Sequence, residues 1–368
     1  MSGCFNVSRC VFLLAALAVC TLGLSIPVRA FAEEEGAHTD HHHAGDLLLF
    51  PAVTGTQFSK PIPEFGQNEL MPEVDIFYST EHERLRFLAE LLLNLDEQEM
   101  ERLQLGWLAH PTTTLWIGRF HNPLGFWNSE HHHGAFLQTT ISRPGIIVFE
   151  DDGGVLPTHV AGLLAEGTLD REGGDVNFAF GIGKGPTLDN GLEPVNILRF
   201  EGGGKLAVSA RLSYRPQDEN AGEFGGFAGY TQIPVSGAAF YESDQTVIGI
   251  FYNMETDRFR LLGELFRVIN HQEGVDVPDQ AAFTAGYVQV EYKVHDDWTL
   301  YGRLEDTSST KNNPYLDLIP DFLKASAMAG CRVELSSKQA LKLEISRNER
   351  QDEVKFDQVS LQWSMVYP

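Results

Sequence analysis

Apolar and polar residues alternate along most of this chain, with the period of two that is typical of β-strands whose two faces meet different surroundings. The pattern is clearest where Leu341, Leu343 and Ile345 are separated by Lys342 and Glu344. One face of such a strand is apolar and the other is polar. The alternation predicts sixteen strands, at residues 46–58, 73–79, 84–93, 100–108, 114–120, 160–168, 175–183, 205–214, 222–232, 245–253, 258–268, 283–293, 298–305, 325–335, 340–346 and 356–367.

The connections between these predicted strands alternate between short and long for most of the chain. Short turns at one end and long loops at the other are the plan of a bacterial outer-membrane barrel. We therefore predict an all-β fold, a transmembrane antiparallel β-barrel of about 16 strands with short periplasmic turns and long external loops. The barrel is predicted to cover residues 46–368, and its long connections fall at 121–159, 184–204, 233–244, 269–282 and 306–324.

The first predicted strand decides the strand count. Pro51 and Gly55 lie within it, and both residue types disfavour a strand interior. Without this strand the two chain ends would lie on opposite sides of the membrane, whereas single-chain outer-membrane barrels have an even number of strands. Sixteen strands is the prediction, and fourteen is the alternative.

Residues 1–32 have the features of a secretory signal peptide. Arg9 supplies positive charge, residues 11–24 are mostly apolar, and residues 30–32 form an A-x-A cleavage site. A lipoprotein signal ending at Cys20 is the weaker alternative, because the preceding Val19 is bulky where a small residue is expected. Beyond this segment no stretch of about twenty apolar residues follows, which argues against a membrane-spanning helix.

The composition narrows the classes of function. The chain has 51 acidic residues against 27 Lys and Arg, and its formal net charge is −24, so we expect no nucleic acid as a partner. Cys331 is the only cysteine beyond the predicted signal peptide, which excludes a disulfide-stapled secreted domain. Neither G-x-S-x-G nor H-E-x-x-H is present, and we expect no enzymatic activity.

Residues 33–45 form a polar, histidine-rich segment that we expect to be a solvated periplasmic tail, because it has too little apolar surface to fold. Its histidines also provide a candidate metal site, since short His-rich tracts supply several imidazole ligands for Zn²⁺ or Cu²⁺. The candidate ligands, with Asp40 beside them, are His38, His41, His42 and His43.

The long segment at residues 121–159 is the candidate constriction loop. Connections of this length without regular structure are usually functional or disordered, and Phe126, Trp127, Phe136 and Leu137 favour a packed loop. Its ionisable side chains are the candidates for contact with solutes, although hydrogen bonds to the barrel wall and ordinary turn chemistry would explain them equally well. These side chains are Glu130, His131, His132, His133, Glu150, Asp151 and Asp152.

The polar faces of the predicted strands carry basic residues that would face the loop across the lumen. A basic wall opposite an acidic loop produces a field that sorts ions, whereas pairing with carboxylates such as Glu264, Glu305, Glu334 and Glu344 would make the same residues structural. The candidate pore-wall residues are Arg84, Arg86, Arg102, Arg211, Arg260, Glu264, Arg303 and Arg332.

The last predicted strand resembles the closing strand of Gram-negative outer-membrane proteins. Val359, Leu361, Trp363, Met365 and Tyr367 share one face, and Pro368 follows where those proteins usually end on an aromatic residue. The resemblance implies recognition by the barrel assembly machinery.

A second resemblance is carried by residues 116–125, WIGRFHNPLG. This segment is similar to the G-[RK]-F-x-x-P-[FL]-G motif of porins of the phosphate-selective type and their uncharacterised relatives. The lysine ladder of that group is not visible here, so phosphate selectivity is not expected. In trimeric general porins, the resemblance implies, the corresponding loop folds into the lumen and narrows it.

The sequence therefore predicts an outer-membrane porin, a passive or weakly selective channel for small hydrophilic solutes with a preference for cations. Outer-membrane lipid and further copies in a homotrimer are its other expected partners. One alternative is a closed barrel that binds a ligand or divalent metal through its His-rich segments. Another is a barrel-embedded surface hydrolase that uses His131 with Ser129, or Asp151 and Asp152 with His159.

Overall fold

Sixteen antiparallel strands close into one barrel in the computed structural model. The structure describes residues 45–62, 66–95, 98–131, 134–150, 152–198, 204–274 and 278–368, with the side chain of Glu219 excepted. The predicted signal peptide and the candidate metal ligands His38, His41, His42 and His43 lie outside the described residues, as do His132, His133 and Asp151. The metal prediction for the N-terminal histidines therefore stays a prediction.

Each strand pairs with its neighbour in the chain, and the barrel closes where the first strand pairs with the last, from Ala52 opposite Ser364 to Phe58 opposite Gln358. A small hairpin, β8 (Thr187–Leu188) and β9 (Leu192–Glu193), lies in one connection outside the barrel sheet. The barrel strands are β1 (Asp46–Ile62), β2 (Gly66–His82), β3 (Leu85–Leu93), β4 (Gln98–His110), β5 (Thr113–His121), β6 (His159–Arg171), β7 (Gly174–Lys184), β10 (Leu206–Pro216), β11 (Glu223–Pro234), β12 (Phe240–Glu255), β13 (Phe259–Gly274), β14 (Gln280–His295), β15 (Trp298–Ser308), β16 (Leu323–Ser336), β17 (Gln339–Arg350) and β18 (Lys355–Met365).

Helical structure in the described part of the chain is confined to short turns. These are α1 (Trp127–Glu130) and the 3-10 turns Gly145–Ile147, Glu219–Ala221 and Leu316–Leu318. None of the described helices has the length and apolar character needed to cross a membrane.

The two faces of the barrel wall have opposite character. Leu265 and Val288 point outward and are 50% and 52% exposed, while their chain neighbours Glu264 and Gln289 point inward and are 4% and 2% exposed. An apolar outer surface around a polar interior is the arrangement of a transmembrane barrel, because lipid rather than water meets the outside. The alternation in the sequence therefore marks a lipid-facing surface and not the core of a soluble sandwich.

All sixteen predicted strands are present, which confirms the fold class and the higher strand count. Pro51 is accommodated in β1 because the continuous pairing with β18 begins only at Ala52, while Pro51 lies opposite Val74 of β2. The fourteen-strand alternative is wrong.

Two of the predicted long connections are wrong in length. The links predicted at 233–244 and 269–282 are mostly strand, because β11 continues to Pro234, β12 begins at Phe240, and β13 and β14 extend to Gly274 and from Gln280. Polar residues occur on both faces here, so the period of two disappears while the backbone pairing continues. Where a strand extends beyond the part of the wall that meets lipid, its outward side chains need not be apolar.

Candidate pore constriction

The segment between β5 and β6, residues 122–158, folds into the barrel, and we call it the constriction loop. Its first turn is held by Glu264 of β13, whose carboxylate oxygens accept hydrogen bonds from the backbone N–H groups of Phe126 at 2.7 Å and Trp127 at 2.9 Å. Tyr287 of β14 donates its hydroxyl to the same carboxylate at 2.5 Å. The loop therefore crosses from the β5 side of the lumen to the opposite wall.

The loop next reaches the wall formed by β1 and β2. Gly134 has a positive φ of 43°, and its backbone N–H donates to Asp75 Oδ2 at 3.0 Å. A side chain at this position would collide with the ring of Phe50, since its Cβ would lie 2.4 Å from Phe50 Cγ. Glycine is required at this close approach to the wall.

Carboxylates of β14, β15 and β17 accept hydrogen bonds from the middle of the loop. Glu344 accepts the backbone N–H of Ile141 at 3.0 Å, Glu305 accepts that of Gly145 at 2.5 Å, and Glu291 accepts the hydroxyl of Thr139 at 2.8 Å. The inward acids of this wall therefore bind the loop.

Basic residues of the same wall donate to loop carbonyl groups. Arg303 donates to Arg143 O at 2.8 Å, and Arg332 donates to Gln138 O at 2.7 Å. Lys342 is fully buried and donates to Ala135 O at 2.5 Å and to Thr140 O at 3.2 Å. Because charge-assisted hydrogen bonds are about twice as strong as neutral ones, this set of contacts fixes the loop inside the barrel.

An apolar core inside the barrel, which sequence reasoning missed, secures the same loop. Phe126 lies 5.1 Å from Phe251 between ring centroids, and the external β15–β16 connection contributes Tyr315 and Phe322. The signal was present in residues such as Phe266 and Val268, which are apolar at positions where alternation predicts polar lumen residues. The buried members from the constriction loop are Leu124, Phe126, Trp127, Ile146, Ile147, Val155 and Leu156.

The two ends of the loop meet in a buried group of ionisable residues, which we call the loop-root cluster: Glu101, His121, Glu150 and His159. His121 and His159 are register partners on β5 and β6. His159 contacts Glu150 Oε2 through Nδ1 at 2.8 Å and lies 2.7 Å from Glu101 Oε2 through Nε2. All four side chains are at most 8% exposed.

Burial and neighbouring charges shift the pKa values of two ionisable residues of the loop, Glu150 and Arg143. Burial alone would raise the pKa of Glu150, but the charge of His159 and hydrogen bonds from His159 and Thr158 hold the pKa of Glu150 below its ordinary value. Burial lowers the pKa of Arg143 to about 10, so its guanidinium remains protonated at neutral pH. That guanidinium lies 3.7 Å from the ring centroid of Phe149, which stacks on His159 at 5.7 Å.

The loop residues predicted to contact solutes differ in their surroundings: some pair with wall arginines, one is buried and one is exposed. Glu130 pairs with Arg211 at 3.1 Å, and His131 Nε2 contacts a guanidinium nitrogen of Arg260. Glu150 does not belong to a solute-facing acidic patch, because it is 1% exposed and its carboxylate is directed to Thr158 and His159. Asp152, by contrast, is exposed.

The predicted wall residues also separate into groups. Arg84 lies exposed in the turn between β2 and β3 instead of on a strand, because Glu83 turns the chain with a positive φ of 55°. Arg86 pairs with Glu81 at 3.0 Å, and Arg102 pairs with Glu90 at 2.7 Å. Arg303 and Arg332, which donate to loop carbonyl groups, also pair with Glu305 and Glu334 of the wall.

The described residues of the hydrolase alternative form contacts that do not belong to a catalytic site. The hydroxyl of Ser129 donates to Gly125 O at 3.0 Å within the first turn of the loop, and His131 lies against Arg260. His159 lies between the carboxylates of Glu101 and Glu150. The described members of these sets therefore show no nucleophile positioned beside an imidazole that could activate it.

Solved structures of outer-membrane proteins share this fold at low sequence identity. The anion-selective porin from Comamonas acidovorans matches with a TM-score of 0.59 and 12% identity, over 88% of this chain and 100% of that chain. The outer membrane channel DcaP of Acinetobacter baumannii gives 0.57 and 10%, over 88% and 97%. The in-vitro folded trimer form of OmpT, an outer membrane protein of Vibrio cholerae, gives 0.51 and 9%, over 88% and 99%.

No protein-family model matches this chain, and no curated protein matches its sequence. The structural likenesses show the fold, which is the closed antiparallel β-barrel of these outer-membrane proteins.

Proposed function

We propose that the protein is an outer-membrane porin, a passive or weakly selective diffusion channel for small hydrophilic solutes. The observation that carries this proposal is the constriction loop, which is folded into the lumen and held there by charged wall residues such as Glu264, Glu344 and Lys342. A barrel that needed only to span the membrane would not require an inserted loop. A lumen narrowed at one level by a fixed loop is suited to sieving solutes by size and charge.

Space for solute remains beside the loop. A cavity of about 280 Å³ lies between loop residues such as Phe136 and the β12–β13 turn, and its lining includes Arg260, Glu291, Arg332 and Glu334. Charged and polar walls favour water and hydrophilic solutes over lipid-like ones.

We also propose a preference for cations. Arg303 and Arg332 pair with Glu305 and Glu334, so much of their positive charge is already matched, while Asp152 remains exposed on the loop. The excess of acidic residues, 51 against 27 basic ones, acts in the same direction. The anion selectivity of the matched Comamonas acidovorans porin belongs to that protein.

Reversal potentials in planar lipid bilayers under a KCl gradient test both parts of the proposal. We expect steady conductance with a potential that favours K⁺, and we expect Asp152→Asn to reduce that preference. Asp170→Asn, the same change at an exposed position at the end of β6, is the matched control and should leave it unchanged. Absence of conductance would reject the channel, and a potential favouring Cl⁻ would reject the charge argument.

The second candidate is a barrel closed by its loop that binds a ligand or a metal ion. It is favoured by the apolar packing of Phe126, Trp127 and Ile147 inside the barrel, because such packing leaves less room for water. This candidate predicts ligand-dependent thermal stabilisation without conductance, so the bilayer measurement separates the two.

We further propose that the barrel assembles as a homotrimer, as the trimer form of OmpT does. Native mass spectrometry of the detergent-solubilised protein should give three chains per particle. A single chain per particle at all detergent concentrations would contradict this assembly.

A further inference from the structure

We propose that Glu101, His121 and His159 bind one divalent transition-metal ion of the Zn²⁺ class at the root of the constriction loop. The three side chains come from β4, the end of β5 and the start of β6, and each offers one ligand atom within 4.8 Å of the others. Two imidazole nitrogens and one carboxylate oxygen form a donor set that Zn²⁺ commonly uses, with water completing the coordination. This site differs from the N-terminal histidine tract and does not depend on the channel function.

Glu150 positions one of the proposed ligands. Its Oε2 lies 2.8 Å from His159 Nδ1, and its Oε1 accepts the backbone N–H of His159 at 2.7 Å. A carboxylate that accepts the Nδ1 proton fixes the tautomer in which Nε2 has a lone pair for a metal ion. The ring of Phe149, stacked at an interplanar angle of 19°, restricts the imidazole further.

Glu101 gives the second, independent indication of a bound cation. The residue is 3% exposed, its Oε2 lies 2.7 Å from His159 Nε2, and its Oε1 accepts no hydrogen bond. A buried carboxylate with one oxygen left without a partner is costly, and an ion between Glu101 and the two imidazoles would offset its charge.

Two of the neighbouring arginines already have carboxylate partners other than Glu101. Arg102 pairs with Glu90 at 2.7 Å, and Arg119 pairs with Glu99. Arg143 contributes a further positive charge that acts on Glu101 most strongly, and also on Asp152, Glu150 and Glu90. Arg143 is one positive charge against the two carboxylates of Glu101 and Glu150, so a divalent cation would offset the negative charge that remains.

A bound ion would join three strands to both ends of the loop. His121 precedes the first residue of the constriction loop, and His159 follows its last residue. Coordination by both, together with Glu101 on β4, would hold the entry and the exit of the loop at a fixed separation. The competing arrangement is a protonated His159 shared by Glu101 and Glu150 with no ion.

The test uses the folded full chain and a variant lacking residues 38–43, which removes the histidine tract as a source of binding. After chelator treatment, titration calorimetry with Zn²⁺ should give one ion per chain in the tract-deleted variant. Co²⁺ in place of Zn²⁺ should give d–d absorption bands that report the ligand geometry of the same site.

Substitutions then identify the ligands. Glu101→Gln keeps the shape of the side chain and should abolish saturable Zn²⁺ binding, while Glu150→Gln should weaken it about 10- to 100-fold, as loss of an orienting partner does. His271→Gln and Glu273→Gln change the same residue types at exposed positions of β13 and should leave binding unchanged. The Co²⁺ bands of the tract-deleted chain keep the proposal testable if His121→Gln or His159→Gln fails to fold.

Two results would overturn the site. One is the absence of Zn²⁺ binding once residues 38–43 are removed, which is the outcome expected for the protonated His159 arrangement. The other is unchanged Zn²⁺ affinity and unchanged Co²⁺ bands in Glu101→Gln.

Discussion

At the scale of single residues, Glu264 holds the first turn of the constriction loop against the barrel wall. It accepts two backbone N–H groups and a tyrosine hydroxyl while 4% exposed. We expect Glu264→Ala to lower the free energy of unfolding by about 2–4 kcal/mol, because buried donors lose a charged acceptor. Denaturant unfolding in detergent micelles measures this change. Glu273→Ala, an exposed position on the same strand, should change stability far less.

Lys342 offers a separate residue-scale prediction. Its ammonium donates to Ala135 O and Thr140 O from a fully buried position, so Lys342→Met should free the loop segment around residues 134–143 without breaking the strand pairing of β17. Hydrogen–deuterium exchange should become faster in that segment and stay unchanged in the barrel strands. Lys338→Met, in the exposed β16–β17 turn, is the control. Equal exchange in both variants would show that Lys342 does not hold the loop.

At the scale of elements, the constriction loop and the wall are separable. The barrel strands pair with one another through backbone hydrogen bonds, so replacing residues 126–156 by a short Gly-Ser linker should leave the barrel closed. We expect conductance to rise several-fold and thermal stability to fall, because the loop fills the lumen and packs against inward residues such as Phe251 and Phe266. Unchanged conductance in planar bilayers would mean that the loop does not limit the pore.

The strands themselves give an element-scale test of their orientation. Ile345 lies near the middle of β17 on the outer face and is 55% exposed, while Gln358 of β18 points inward. Arginine facing lipid near the membrane midplane costs about 2–4 kcal/mol, whereas lumen positions tolerate charge. Ile345→Arg should therefore lower stability by about that amount in folding assays with lipid vesicles, and Gln358→Arg should not. The reverse order would place lipid on the other face.

At the scale of the whole molecule, the net charge of −24 sets the proposed selectivity through long-range fields. Such fields are screened over about 30 Å at 0.01 M salt and about 3 Å at 1 M salt. The preference for K⁺ over Cl⁻ should consequently decline as the KCl concentration rises. Reversal potentials at a constant concentration ratio and increasing total salt measure the decline. A preference independent of salt would assign selectivity to close contacts in the constriction instead.

The sequence by itself determined the wall of this barrel. The alternation around Leu343 and Glu344 sets which face meets lipid, and the number of such segments sets the strand count. The even count also required a strand at residues 46–58 despite Pro51, and the structure has it at Asp46–Ile62. These features follow from local periodicity, because every strand must present apolar side chains outward and pair its backbone with two neighbours. The spacing of strands also predicted a long connection between β5 and β6, while its folding into the lumen was implied by the resemblance to trimeric general porins.

Only the tertiary structure decided what the interior does. Residues 122–158 have no period, so their contacts depend on where the folded loop meets the wall, and the sequence could not pair Gly134 with Asp75 or Ile141 with Glu344. The same holds for the loop-root cluster, in which Glu101 on β4 meets His159, 58 positions later, only because the barrel brings β4, β5 and β6 together. Glu150 was predicted to face solute, and folding directed it inward to His159. The alternation along a strand determines which side chains face lipid and which face the lumen. The contacts of a site depend on distances between residues far apart in the sequence, and only the closed barrel sets those distances.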